Sequence, residues 1–181
     1  MSKNVINLIF TSNYRTFAAM NRVFLHTGTN LGDRLANLEQ ANTLIEQHIG
    51  LITNISPIYE TAAWGMEEQP AFLNQVVELE STLNPWEMMT TMLKIEEAMG
   101  RKREEKWGPR LIDLDLLAYG DNRITTGLLK LPHPELKNRK FVLIPFREIA
   151  PRWVHPVSGK SINDLLENTP DQLEVNILRT E

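Results

Sequence analysis

Two aspartates, Asp113 and Asp115, stand two apart in the run Leu111-Ile112-Asp113-Leu114-Asp115-Leu116. On a β-strand that spacing sends both carboxylates to one face and Ile112, Leu114 and Leu116 to the other. The two Cα atoms would lie about 6.6–6.8 Å apart, so the side chains could converge on hard cations that prefer oxygen ligands. Strand alternation alone also produces such a pair on a half-exposed strand, and the pattern takes its meaning from its neighbours. Just upstream, residues 101–110 gather Arg101, Lys102, Arg103, Lys106 and Arg110 around Trp107-Gly108-Pro109. Phosphoryl chemistry needs this combination, because metal ions and Arg or Lys groups must offset charge on phosphate oxygens as it redistributes in the transition state. Glu104 and Glu105 inside the same stretch fit a solvated charge run equally well. A third cluster, Leu131-Pro132-His133-Pro134 followed by Lys137, Asn138, Arg139 and Phe141, holds a histidine between prolines beside another arginine. His133 is therefore a further candidate for phosphate contact.

Two look-alikes carry no such chemistry. Gly159-Lys160-Ser161 resembles the end of a phosphate-binding P-loop, but Val154 stands where that motif needs glycine, and Pro151 and Pro156 spoil the preceding strand. Gly28-Thr29-Asn30-Leu31-Gly32 does not meet G-x-G-x-x-G and reads as a tight turn into a helix. The 181 residues suit one domain. The absence of cysteine excludes disulfides, thiolate nucleophiles and zinc-thiolate sites. A net charge of −4 provides no broad cationic field for nucleic acid, so an anionic partner should be small. No apolar run reaches the roughly 20 residues of a membrane span, and the first residues lack a signal-peptide pattern. The expectation is a cytoplasmic protein that binds neither nucleic acid nor membrane.

The elements that must position these residues follow from periodicity and turn chemistry. Residues 1–21 read as an N-terminal extension ahead of the domain, with residues 5–10 a candidate edge strand; the domain itself spans residues 22–181. A strand over residues 22–26 leads to a helix from Asp33, with Leu35, Leu38, Leu44, Ile45 and Ile49 at near-helical spacing and Gly50 placed to end it in a left-handed cap. Residues 51–59 form a strand interrupted at Ser56-Pro57, and residues 72–83 another. Asn84-Pro85-Trp86-Glu87 starts a second helix that Gly100 stops. Residues 111–119 form the next strand, and the turn Gly120-Asp121-Asn122 carries the sheet onward through Ile124. Beyond Leu131, a helix from about Asn138 should be interrupted by Pro145, and a short helix covers residues 161–167. This order predicts an α+β fold, a ferredoxin-like βαββαβ sandwich with extra C-terminal helices, a topology that by itself decides no function.

Taken together, these segments resemble the 6-hydroxymethyl-7,8-dihydropterin pyrophosphokinases of folate biosynthesis, from about Arg22 to Pro156. Gly28-Thr29-Asn30-Leu31-Gly32-Asp33-Arg34 resembles the family's opening turn. Tyr59-Glu60-Thr61 through Gly65 and Gln69-Pro70-Ala71-Phe72-Leu73-Asn74 resemble its pterin-binding segments, and residues 100–115 its long G-R-x-R…W-G-P-R-x-I-D-L-D signature. The resemblance implies that Asp113 and Asp115 coordinate two Mg²⁺ ions bound with the co-substrate ATP, and that Arg101, Arg103 and Arg110 hold phosphates. Glu96, Leu116, His133 and Arg139 match nucleotide-binding positions. For the pterin, it implies a hydrogen bond from Asn74, flanking by Phe72 and Phe141, and contacts from Thr61, Ala62, Trp64, Trp107 and Asp113. A flat heteroaromatic ring does want aromatic faces with a few fixed polar groups, although Phe72 and Phe141 also suit core packing. The chain departs from the family pattern at His26, where an apolar residue is usual, at Ala62, Ala63, Lys106 and Pro134, and in its 19-residue leader.

The implied reaction is in-line attack of the pterin hydroxymethyl oxygen on the β-phosphorus of ATP, with AMP expelled and Arg101, Arg110, Asp113 and Asp115 as the catalytic set. Positioning and charge neutralisation would supply most of the catalysis, by a monomer, under loops 61–70 and 101–109 that close over the substrates. A two-metal nuclease using the same acids, or a noncatalytic ferredoxin-like module meeting an anionic partner through the basic loop, are the competing readings.

Overall fold

The computed structural model describes residues 20–63, 69–101 and 108–179. Its frame is an antiparallel sheet. β1 (Asn21–Thr29) lies between β5 (Asp113–Tyr119) and β4 (Phe72–Ser81), and the far edge of β4 is shared by β2 (Leu51–Ile55) and β3 (Tyr59–Thr61), with β8 (Val175–Ile177) outside β3. Helices α1 (Arg34–His48) and α2 (Pro85–Ala98) connect the strands in the βαββαβ order of a ferredoxin-like α+β sandwich. The split between β2 and β3 falls at Ser56-Pro57, as the sequence suggests. Proline has no N–H for the ladder, and Ser56 keeps the bend attached to β4: its N–H donates to the Val76 carbonyl at 3.0 Å and its Oγ accepts from Val76 N at 3.0 Å.

Strand alternation gives the sheet two different faces. One presents Val23, Leu25, Leu73, Val77, Leu79, Leu114 and Leu116 to Leu38, Ala41 and Ile45 of α1 and to Met88, Met92 and Ile95 of α2, forming the larger core. The other presents Phe24, Val76 and Leu117 to Val142, Leu143, Phe146 and Ile149 of α3 (Lys140–Ile149), with Ile162 and Leu165 of α4 (Ile162–Glu167) beside them. The Phe24 and Phe146 rings sit 4.5 Å apart, and Phe146 and Trp153 4.8 Å apart. This second core covers part of its face. Further along the same strands, His26, Gly28, Phe72, Asn74, Asp113 and Asp115 line a cleft instead.

The helix ends set the positions of several site residues. Asp33 caps α1 by accepting from Ala36 N at 3.1 Å, and Asn84 with Glu87 forms a capping box on α2. At the end of α2, Gly100 takes φ +87°, its N–H donates to the Glu97 carbonyl at 2.9 Å and Arg101 N–H to the Glu96 carbonyl at 3.0 Å. This paired Schellman arrangement needs a left-handed residue and delivers Arg101 to the helix terminus.

Three local expectations give way. Gly50 is not a left-handed cap; it is there because a Cβ would lie 2.2 Å from the Glu80 carbonyl oxygen, where the start of β2 crosses β4. After Tyr119 the chain leaves the main sheet, and β6 (Ile124–Thr125) pairs with β7 (Lys130–Leu131) in a separate ribbon. Pro145 does not interrupt α3. Its missing N–H would have bonded only the carbonyl of Phe141 in the first turn, and the helix is held by its buried face of Val142, Leu143, Phe146 and Ile149. The candidate strand at residues 5–10 lies outside the described residues. Among the described residues no helix is long and apolar enough to cross a membrane.

Because the added methyl at Gly50 would meet backbone rather than a flexible side chain, Gly50→Ala is expected to lower unfolding free energy by about 1–3 kcal/mol in urea denaturation. An unchanged midpoint would contradict the close approach of β2 to β4.

Candidate active site

β5 pairs with β1 so that Asp113 lies opposite Gly28 and Asp115 opposite His26. Both carboxylates emerge on the cleft face, while Ile112, Leu114 and Leu116 are buried on the helical face. Each acid is held by arginine. Arg101 Nη1 lies 2.6 Å from Asp113 Oδ1, Arg110 Nη1 2.8 Å from Asp113 Oδ2, and Arg139 Nη1 2.7 Å from Asp115 Oδ2. His133 Nε2 approaches Asp115 Oδ1 to 3.9 Å. The five N–H donors of a guanidinium match a carboxylate or a phosphate equally, so these arginines could answer either.

The positions of the arginines trace to separate elements. Arg101 follows the Gly100 cap and also pairs with Glu96, whose Oε1 accepts from Leu114 N at 2.8 Å. Glu96, 3% exposed, thus ties the end of α2 to the backbone between the two aspartates. Arg110 is held through its main chain: Asn30 Oδ1 accepts from Arg110 N at 2.7 Å, and Asn30 N donates to the Arg110 carbonyl at 3.1 Å. Asn30 Nδ2 reaches the Pro70 carbonyl at 3.2 Å, and Arg34 Nη1 reaches Glu60 at 2.7 Å and the Ala71 carbonyl at 2.8 Å. The turn before α1 therefore fastens the approach to β4 on one side and the approach to β5 on the other. Arg139 and Phe141 enter at the start of α3, where Asp171 Oδ2 accepts from Lys140 N at 2.8 Å.

Behind the acids lies a cleft lined by His26, Gly28, Thr61, Ala62, Phe72, Asn74, Arg110, Asp113, Asp115, Arg139 and Phe141. It has the expected composition for a flat polar ring, with two aromatic rings and a few fixed polar groups. Arg110 and Arg139 each sit 5.8 Å from the centroid of Phe72 and Phe141, respectively. Asn74 is buried on the cleft floor, donating from Nδ2 to Thr61 Oγ1 at 2.9 Å and meeting His26 Nε2 at 3.0 Å through Oδ1.

The charges are set by burial and by the arginines. Burial pulls the Asp115 carboxyl upward, but His133, Arg139 and His26 together outweigh it and hold the group below its usual range. Burial pushes His26 and His133 down against the pull of Asp115, so both rings are neutral near pH 7 and the steady countercharge on Asp115 is Arg139. The donor set fits magnesium that arrives with a nucleotide. Mg²⁺ is commonly held by one or two carboxylates with substrate phosphates completing its shell, and among the described residues Asp113 and Asp115 are not joined by a third acid or histidine in a protein-only cage.

Thr61, Ala62, Phe72, Asn74, Arg110, Asp113, Asp115, Arg139 and Phe141 thus share one cleft, with Arg101 and His133 on its acids. Glu96 lies behind Arg101, and both border a second depression with Leu93 and Glu97. The Leu116 side chain packs in the larger core, away from the cleft. Trp64, Arg103 and Trp107 lie outside the described residues, as do most of the loops expected to close. The latch formed by Asn30 is not legible in the sequence, although the turn containing it is, and His26 stands out there only as a departure from the family pattern; its signal is a titratable residue two positions from Gly28, following the apolar run Val23-Phe24-Leu25.

Residues 24–151 match the family model described as 7,8-dihydro-6-hydroxymethylpterin-pyrophosphokinase. The chain is 42% identical over 151 residues to the 2-amino-4-hydroxy-6-hydroxymethyldihydropteridine pyrophosphokinase of Aquifex aeolicus, covering 83% of this chain and 94% of that one. It is 44% identical over 131 residues to the protein of the same name from Bacillus subtilis, covering 72% and 78%. Its fold resembles that of the fused HPPK-DHPS of Plasmodium falciparum, solved as the wild type with pteroate, with a TM-score of 0.69 at 17% identity over 82% of this chain and 44% of the fused one. The chain therefore spans less than half of that fused protein. A family match across most of the strands and helices that build the cleft, joined to relatives at this level of identity, makes the chain a member of the 7,8-dihydro-6-hydroxymethylpterin pyrophosphokinase family.

Proposed function

We propose that the cleft binds ATP and 6-hydroxymethyl-7,8-dihydropterin side by side, with the pterin between Phe72, Phe141 and Asn74 and the phosphates over Asp113 and Asp115. The reaction of the family is transfer of a pyrophosphoryl group from ATP to hydroxymethyldihydropterin in folate synthesis, with ATP as co-substrate. The observation that carries the site assignment is the convergence of Arg101, Arg110 and Arg139 on two carboxylates at the edge of an aromatic-lined cleft.

Asp113 and Asp115 would hold the magnesium, which supplies charge neutralisation on the phosphate oxygens when bound. Around it, the work of the chain is positional. Arg101, Arg110 and Arg139 offer phosphate oxygens the guanidinium groups that now answer carboxylates. Asn74 and the backbone of Thr61 and Ala62 orient the ring so that the hydroxymethyl oxygen faces the β-phosphorus. The new bond forms between that oxygen, whose proton is released to solvent, and the β-phosphorus; the bond from the β-phosphorus to the oxygen that bridges it to the α-phosphorus breaks, and AMP leaves with the electron pair. Glu96 keeps Arg101 against Asp113, and His133 stands beside Asp115 as a neutral donor for the nucleotide. Leu116 would meet the nucleotide only through its backbone; Trp64, Arg103 and Trp107 complete the set on the strength of the family signature. We take residues 22–181 as the catalytic domain with residues 1–21 an extension, working as a cytoplasmic monomer. The cysteine-free sequence suits a reducing compartment.

Mixing the protein with ATP, Mg²⁺ and the dihydropterin is expected to release AMP and the pterin diphosphate; AMP formed without pterin, or none with it, would overturn the proposal. Asp113→Asn and Asp115→Asn should each cut turnover by on the order of a hundredfold or more at unchanged circular dichroism, and full activity in both would remove the metal assignment. Phe141→Ala should raise KM for the pterin about tenfold while moving KM for ATP little, as expected for the loss of one aromatic face.

A further inference from the structure

We infer that His26 is a positioning residue for pterin recognition, setting which edge of the Asn74 amide faces the cleft; the inference rests on Asn74 being the pterin-binding amide. His26 lies on β1 with its side chain on the cleft face, 3% exposed, between Asn74 of β4 and Asp115 of β5. Two residues earlier on the same face, Phe24 belongs to the α3 core, so the imidazole marks the point where the apolar core gives way to the cleft. Its ring is steadied by Phe141, with centroids 5.5 Å apart at 58°.

An asparagine amide has nearly the same shape after half a turn about its last bond, so its hydrogen-bond partners decide which end is oxygen. Thr61 does not decide, because a hydroxyl donates or accepts. The imidazole does. Its Nε2 lies 3.0 Å from Oδ1 of Asn74, and because that oxygen only accepts, this arrangement holds when Nε2 carries a proton. Nδ1 has no hydrogen-bond partner among the described residues and lies 3.9 Å from Asp115 Oδ2. With Oδ1 held toward β1 and Nδ2 toward Thr61, the amide keeps one N–H and one lone pair in a fixed order for a heterocycle that offers its own donor and acceptor side by side. The opposite tautomer would call for the reverse order. Removing the ring leaves Oδ1 a buried acceptor without a donor and frees the amide to turn over.

The test compares His26→Leu, which removes the donor, with His26→Gln, whose amide N–H restores it. His26→Leu is expected to raise KM for the pterin about tenfold, with kcat and KM for ATP within about twofold of the unaltered protein, and His26→Gln to recover most of that loss. If His26 acts through Asn74, adding His26→Leu to Asn74→Ala should worsen pterin affinity no further. Equal losses in the leucine and glutamine variants, an effect on ATP of the same size, or additive losses in the double variant would each overturn the assignment. A readout independent of turnover is the imidazole ¹⁵N spectrum of the free protein near pH 7, expected to show the Nε2–H tautomer; Nδ1–H would overturn the inference even if both variants fold poorly. Pterin-dependent AMP release by the unaltered protein is the control, and its absence would sink the reading of the site while leaving the tautomer result to stand or fall separately.

Discussion

Two like charges on one strand face are the constraint around which this molecule is arranged. Asp113 and Asp115 are held on the same side of β5 by strand geometry, partly buried, with no way to lean apart onto opposite faces. Two negative charges held so close repel each other unless countercharges are brought to them. The chain brings Arg101 from the end of α2, Arg110 from the approach to β5 and Arg139 from the start of α3. Each needs its own support: the Schellman cap at Gly100 with Glu96, the main-chain pair with Asn30, and the anchoring of α3 by its apolar face and Asp171. The pair is thus the point at which four otherwise separate segments are made to agree.

The same arrangement explains why the cleft lies where it does. α3 covers the part of the sheet face that carries Phe24, Val76 and Leu117, and its first turn stops beside the acids. Continuing apolar residues along β1, β4 and β5 would have extended the core; His26, Gly28, Asn74 and the two aspartates instead leave a polar floor between aromatic sides. Gly28 contributes by what it lacks, since a Cβ there would come within 3.0 Å of the His26 ring. The pocket for a flat ring and the seat for phosphate are therefore neighbours on one sheet face, and a reaction that joins the two substrates needs little beyond holding them there.

How far the sequence could be read depended on whether the deciding forces were local. The capping box at Asn84, the cap at Gly100, the break at Ser56-Pro57 and the two faces of β5 were legible because each depends on a few adjacent residues. Gly50 was misread for the opposite reason. Its need for no side chain comes from Glu80, thirty residues away, and nothing near it in the chain reveals that crossing. Pro145 was misread because local propensity argued for a break while the burial of the α3 face, a tertiary quantity, argued for continuity. The return through Ile124 was expected to extend the sheet, yet it forms its own ribbon with β7, a pairing that depends on where the chain goes after the turn.

By itself, the sequence determined that two acids converge, that they sit among arginines and aromatics, and that the long signature around them belongs to a pterin pyrophosphokinase. Spacing along one strand and the order of motifs suffice for that. The tertiary structure alone decided which arginine answers which aspartate and that Asn30 latches two distant segments together. It also turned His26 from a departure in the family pattern into the partner of Asn74, because a hydrogen bond between residues 48 positions apart exists only once β1 and β4 have paired in register.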